Sequence, residues 1–186
     1  GMLNKANLLQ ILRTSSVFMD TDGSPRVKVV CRYQQFRAAS KIVERLRIGE
    51  TATERSGVVW HTQGSGKSLT MVFLARMLRA SRDLADYKIV LVNDRQDLEE
   101  QLGDTATLIG GRVNVIETRA GLRQHLSTDS SDISMVMIHK FQEHKQTLTN
   151  TVAEALGTYL AMPAGKTFGV VNTSDRIILM IDEAHR

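Results

Sequence analysis

Two short stretches carry residues whose types and spacing suit phosphate chemistry. The first is "HTQGSGKS", His61 to Ser68, in which Gly-x-Gly-Lys-Ser follows an apolar run and precedes a helical pattern. Gly64 and Gly66 permit backbone angles and a close approach that a Cβ would block. The loop N–H groups then turn inward around phosphates, and a helix starting at Lys67 adds the favourable end of its dipole. Lys67 is expected to reach the β- and γ-phosphates, and Ser68 to hold Mg²⁺ through its hydroxyl. The predicted contacts run over Thr62, Gln63, Gly64, Ser65, Gly66, Lys67 and Ser68. The strict phosphate-loop pattern has glycine where His61 stands.

The second stretch is "RIILMIDEAHR", Arg176 to Arg186. An apolar strand runs into Asp182-Glu183, and ligands of a doubly wound sheet bind at the carboxyl ends of its strands. Asp182 can hold Mg²⁺ opposite Ser68, and Glu183 can orient or deprotonate a water for attack on the γ-phosphate. Two carboxylates at a strand end are, alone, ordinary surface groups. Together with the loop they predict a Mg·ATP site with Lys67, Asp182 and Glu183 as its catalytic residues.

These residues need a scaffold. Residues 3–19 carry Leu8, Leu9, Ile11 and Leu12 at helical spacing, Asp20–Arg26 reads as a turn, and Val27–Val30 as a short strand. Tyr33–Gly49 is an amphipathic helix with Phe36, Ala39, Ile42, Val43 and Leu46 as its apolar stripe and Gly49 as its stop. From Gly57 onward, apolar runs at 57–61, 88–93, 113–117, 133–138 and 176–182 alternate with helical patterns at 67–80, 95–103, 119–126 and 142–161. Runs that are apolar throughout suit a parallel sheet covered on both faces. The expected class is α/β: a mostly parallel, doubly wound sheet with helices on both faces, preceded by a short helical segment. Residues 1–56 form that segment and 57–186 the nucleotide-binding lobe, with the strand at 176–182 expected to be central in a complete sheet and to have an exposed edge where the strands that should follow it are missing.

The chain of 186 residues is 42% hydrophobic and 5% aromatic, enough for one aliphatic core. Its net charge of +4 is compatible with nucleic acid and equally with a solvated basic surface. The single cysteine, Cys31, excludes an internal disulfide and a cysteine-based zinc site. That cysteine usage fits a reducing cytoplasm, and no apolar run approaches membrane-spanning length.

Asp-Glu-Ala-His (182–185) resembles the DEAD/DEAH box of superfamily 2 helicases and translocases, in which the first loop position is often not glycine. "VVWHTQGSGKSLTM" (58–71) resembles the phosphate-loop region of the restriction (R) subunit of type I restriction enzymes, where Trp-His precedes the loop and Leu-Thr follows the Ser. "VVCRYQQFRAASKIVERL" (29–46) is similar to that family's Arg-Tyr-x-Gln stretch, and the likeness makes Gln35 the adenine-reading residue. "VLVNDRQDLEEQL" (90–102) and "MVMIHKFQ" (135–142) resemble motifs Ia and Ib, with His139 where the family tends to have Thr. Read without the family, Gln35 is equally an ordinary helix residue, Trp60 packs at a strand end, and Arg95 with Asp97 either caps a helix or touches DNA.

The resemblance refines the fold to a three-layer RecA-like P-loop NTPase domain, and implies the first such lobe of an ATP-dependent DNA translocase within a site-specific deoxyribonuclease. It implies ATP and Mg²⁺ as cofactors, and double-stranded DNA and the methyltransferase (M) and specificity (S) subunits as partners, in a bacterial or archaeal cytoplasm. Motif III, a second lobe and its arginine finger lie outside the sequence, and such a finger contributes about 10³–10⁵ in rate. Weak nucleotide binding without useful hydrolysis is therefore expected of residues 1–186. A helicase or remodeller lobe without a nuclease, a P-loop switch ATPase and an inert DNA-binding scaffold are the competing readings.

Overall fold

The computed structural model describes residues 4–21, 24–62, 64–93, 108–110, 112–137 and 170–182. The chain divides into two compact units: Gly1–Ala85 with Leu102–Gly111, and Asp86–Gln101 with Arg112–Arg186.

The first unit opens with α1 (Lys5–Thr14), whose N-terminus is capped by Asn4 Oδ1 accepting from the Asn7 N–H at 2.8 Å. The helix was expected to continue to Met19, but it stops at a run of hydroxyl residues. Thr14 Oγ1 donates to Gln10 O (2.9 Å) and Ser16 Oγ to Leu12 O (3.1 Å), so side chains take up carbonyls of the last turn. The chain then turns into a hairpin of β1 (Ser16–Thr21) and β2 (Ser24–Val30), paired Val17 to Val29 and Phe18 to Lys28. The N-terminal segment is thus a helix plus a hairpin.

α2 (Tyr33–Ile48) packs on α4 (Lys67–Ala80). The buried face of α2 is Phe36, Ala39, Val43 and Leu46, as its apolar spacing predicts, joined by Gln35. From α4 come Val72, Phe73, Ala75 and Leu78, none of them measurably exposed. Full burial of a side chain the size of Phe73 or Leu78 contributes about 1.5–3 kcal/mol. Gly49 ends α2 with φ −70, so no left-handed turn is involved. A glycine is needed there for space: a Cβ would lie 2.9 Å from Arg55 N and 3.1 Å from Arg45 O.

The short α3 (Ala52–Arg55) is held by a capping box between Thr51 and Glu54. The next residues, 57–61, were expected to be a buried strand. They are irregular instead, with Val58 88% and Trp60 81% exposed. The apolar run marks extended chain but cannot specify a partner, and no described strand pairs with it.

The second unit is a parallel sheet in the order β4-β5-β3-β6, with β3 (Lys88–Asn93), β4 (Val113–Ile116), β5 (Ile133–Met137) and β6 (Ile177–Ile181). All six residues of β3 and all five of β5 are buried, which explains why both read as unbroken apolar runs. The helix α5 (Arg119–Ser127) packs Leu122 and Leu126 onto Val90, Val92, Ile116 and Val136. The α/β class and the parallel sheet are as predicted. Among the described strands β6 is an edge, paired with β3. The helical patterns at 95–103 and 142–161 lie outside the described residues.

Candidate nucleotide site

The loop before α4 is shaped by two left-handed glycines, Gly64 at φ 72 and Gly66 at φ 81. They differ in what they require. A Cβ on Gly64 would meet nothing within 4 Å, so backbone angle alone asks for glycine there. A Cβ on Gly66 would also lie 2.7 Å from Gln35 Nε2.

Gly66 is the N-cap of α4, and being glycine it offers no side chain to the helix's first N–H groups. No acidic residue sits in the first turn either. An α-helix leaves the first four N–H groups without intrahelical acceptors, so this start is suited to an anion. The Gly66 carbonyl points the other way. It accepts from Gln35 Nε2 (2.9 Å), Thr70 N (3.1 Å) and Thr70 Oγ1 (3.1 Å). Ser65 N donates to Thr62 O at 3.2 Å, closing the turn. Ser65 Oγ is buried, and among the described residues it has no hydrogen-bond partner. Lys67 and Ser68 are half-buried at the head of the helix, while Thr62 is exposed and His61 half-buried. Gln63 lies outside the described residues.

Gln35 is 4% exposed, and both ends of its amide are engaged. Oε1 accepts from the Arg32 N–H at 2.8 Å, and Nε2 reaches Gly66 O and, at 3.5 Å, Ser65 O. The start of α2 is thereby tied to the loop. Sequence reasoning placed Gln35 at the site without this bridge. A Gln three residues after the helix boundary is the available signal, because that position reaches back to the N-cap N–H.

Asp182 stands at the carboxyl end of β6 in the second unit, half-buried, with its N–H donating to Val92 O at 3.0 Å. It occupies the sheet end at which ligands of such folds bind. Glu183, Ala184, His185 and Arg186 lie outside the described residues, as do Arg95, Asp97 and His139.

At the opposite end of that sheet is a buried cation that sequence reasoning missed. Lys88, the first residue of β3, is 3% exposed. Its Nζ donates to His125 O, Thr128 O (2.7 Å) and Thr128 Oγ1 (3.0 Å), and lies 3.9 Å from Asp132 Oδ1. It caps the C-terminus of α5, where a positive charge meets the helix dipole favourably. Burial holds the Lys88 ammonium below its ordinary range, opposed by Asp132 and Asp129. Nothing in "KIVLVN" distinguishes this lysine from an exposed one, because its partners are 37 and 40 residues away.

A glycine-cradled loop, an open helix start headed by Lys-Ser and an α/β fold define a P-loop ATPase. Residues 34–186 match the model of the SWI2/SNF2 ATPases, and the chain belongs to that family. Its relatives narrow the group. It is 30% identical to the HindI endonuclease subunit of a type I restriction enzyme from Haemophilus influenzae, over all of this chain and 17% of that one. It is 26% identical to the SsaAORF53P endonuclease subunit from Staphylococcus saprophyticus, over 95% of this chain and 17% of the other. It is also 30% identical to a Mycoplasma pneumoniae protein provisionally named the C-terminal part of the MpnIIP endonuclease subunit, over 75% of this chain and 69% of that one. Within the ATPases, the chain therefore belongs with the endonuclease subunits of type I restriction enzymes. It spans about one-sixth of the length of the Haemophilus relative. Among the described residues, no helix is long and apolar enough to cross a membrane.

Proposed function

We propose that the chain is the ATP-binding lobe of a DNA-translocating motor, part of the restriction subunit of a type I restriction-modification enzyme. The observation that carries this reading is the open, glycine-headed start of α4 bearing Lys67 and Ser68 in a SWI2/SNF2 chain. The donor set fits a magnesium nucleotide. The N–H groups of the loop and first turn suit phosphate oxygens, the Lys67 ammonium offsets their charge, and the Gly66 carbonyl is already held away by Gln35 and Thr70. By the motifs that carry them, Ser68 and Asp182 are each proposed as a Mg²⁺ ligand, and Glu183 as the residue that orients the attacking water. Bound ATP would supply the free energy of its terminal phosphoanhydride bond. Thr62 and Gln63 are the remaining proposed loop contacts, and Gln35 would read the base edge by exchanging one of its present partners, Arg32 N or Gly66 O. The partners proposed are duplex DNA and the methyltransferase and specificity subunits, acting in a bacterial or archaeal cytoplasm.

The test is titration of the chain with a fluorescent ATP analogue in the presence of Mg²⁺. Wild type should bind, and Lys67→Ala should weaken binding about tenfold or more, the loss of one charged hydrogen bond. Hydrolysis by residues 1–186 should stay near background. Equal affinity in wild type and variant would sink the assignment.

A further inference from the structure

Positive charge is unevenly divided between the two units. The first contains 14 Lys and Arg against 7 Asp and Glu, a net +7, and the second 10 against 13, a net −3. Within the first unit, α2 concentrates it. Tyr33, Arg37, Lys41 and Arg45 follow one another at four-residue spacing and are all exposed, so they form one ridge on the side of α2 away from its buried face. Among the described residues, no hydrogen bond or ion pair engages Arg37 or Lys41. Arg45 at the far end lies in the field of Glu54, and Glu44 is the one acid beside the ridge on α2 itself. Like charges one turn apart repel each other, and Glu44 and Glu54 set two acidic charges against the three basic ones of the ridge.

We propose that this ridge is a docking surface for the sugar–phosphate backbone of duplex DNA, distinct from the nucleotide loop. Gln35, which contacts the loop, is on the buried side of the same helix. From Tyr33 to Arg45 the twelve steps of about 1.5 Å span about 18 Å of straight helix. Over that length a duplex presents a phosphate about every 1.7 Å of axis, so a row of cations finds partners in any register. A protein-binding core has an apolar centre, whereas here the exposed apolar side chains, Tyr33 and Ile48, stand at the two ends and the middle holds Arg37, Lys41 and Glu44. A single strand is favoured by a series of aromatic platforms, and the ridge has one, Tyr33, at 49% exposure.

The experiment is fluorescence anisotropy of a labelled duplex of arbitrary sequence, titrated with the chain between about 50 and 200 mM salt. The Arg37→Ala/Lys41→Ala double variant should bind more weakly, and its log–log salt slope should be shallower by about 2, one counterion for each lost contact. The charge-keeping Arg37→Lys/Lys41→Arg variant should retain the wild-type slope. Alanine is a strong helix former on an exposed face, and circular dichroism should show α2 intact. Nucleotide binding by the double variant should equal that of wild type, so failure here leaves the nucleotide reading standing. An unchanged slope in the double variant, no duplex binding by wild type, or equal competition by single-stranded DNA or polyglutamate would overturn the proposal.

Discussion

Gln35 Nε2 sits 2.9 Å from the carbonyl oxygen of Gly66, across 31 residues of sequence. That bond sets which way the Gly66 peptide faces. With its oxygen held toward α2, the first N–H groups of α4 are left for a ligand. Gln35→Ala would free the Arg32 N–H and weaken the hold on Gly66, at a cost of about 1–3 kcal/mol for the buried groups left unpaired. A urea melt should show that loss, and nucleotide affinity should fall in the same variant. Gln35→Leu should fill the space yet restore neither property.

The two left-handed glycines should respond unequally to alanine. Gly64→Ala meets no atom and bears only the backbone penalty, about 1–2 kcal/mol. Gly66→Ala bears the same penalty and in addition drives a methyl to within 2.7 Å of Gln35 Nε2. Stability and nucleotide affinity should therefore drop further for Gly66→Ala, and adding Gln35→Ala should recover part of its stability. Equal losses at the two positions would contradict the geometry.

Lys88→Met should destabilise the second unit. The methionine fits the buried stem, but the carbonyls of His125 and Thr128 lose a charged donor. A loss of about 1.5–3 kcal/mol is expected, the range for hydrogen bonds to charged groups. Hydrogen exchange should show it first at the end of α5.

His125 makes stability depend on pH. Burial holds its imidazole below the ordinary 6.5, Lys88 pushes in the same direction, and Asp132, with Oδ1 3.4 Å from Nε2, opposes them. The folded state therefore favours neutral imidazole. Its contribution is complete above pH 6.5 and is lost as pH falls below that value, because the unfolded chain takes up the proton first. Urea midpoints should fall between about pH 7.5 and 5.5, and His125→Gln should flatten that part of the profile.

Several elements were readable from residues alone. α4 begins at Lys67 because left-handed glycines precede it, and it runs to Ala80 on the pattern that buries Phe73 and Leu78. β3 and β5 announced themselves as unbroken apolar runs because both faces of the sheet are covered at those strands. The errors have local causes. Leu8 to Leu12 continue a helical period toward Met19, and the period conceals the hydroxyls at Thr14 and Ser16 that end the helix. "GVVWH" has strand composition, yet strand formation depends on a partner that composition does not contain. At the site, Lys67, Ser68 and Asp182 were legible because a motif compresses them into a few residues. The burial of Gln35 and of Lys88 was not, since each is satisfied by groups more than thirty residues away.

Trp60 is the chain's sole tryptophan and lies four residues before Gly64, with most of its surface in water. The protein thus carries its own optical reporter beside the phosphate loop. Its indole should emit toward the red, be readily quenched by iodide, and shift to the blue when Val58–Trp60 becomes covered. A stopped-flow trace at that wavelength would time rearrangements of the loop approach without any added label.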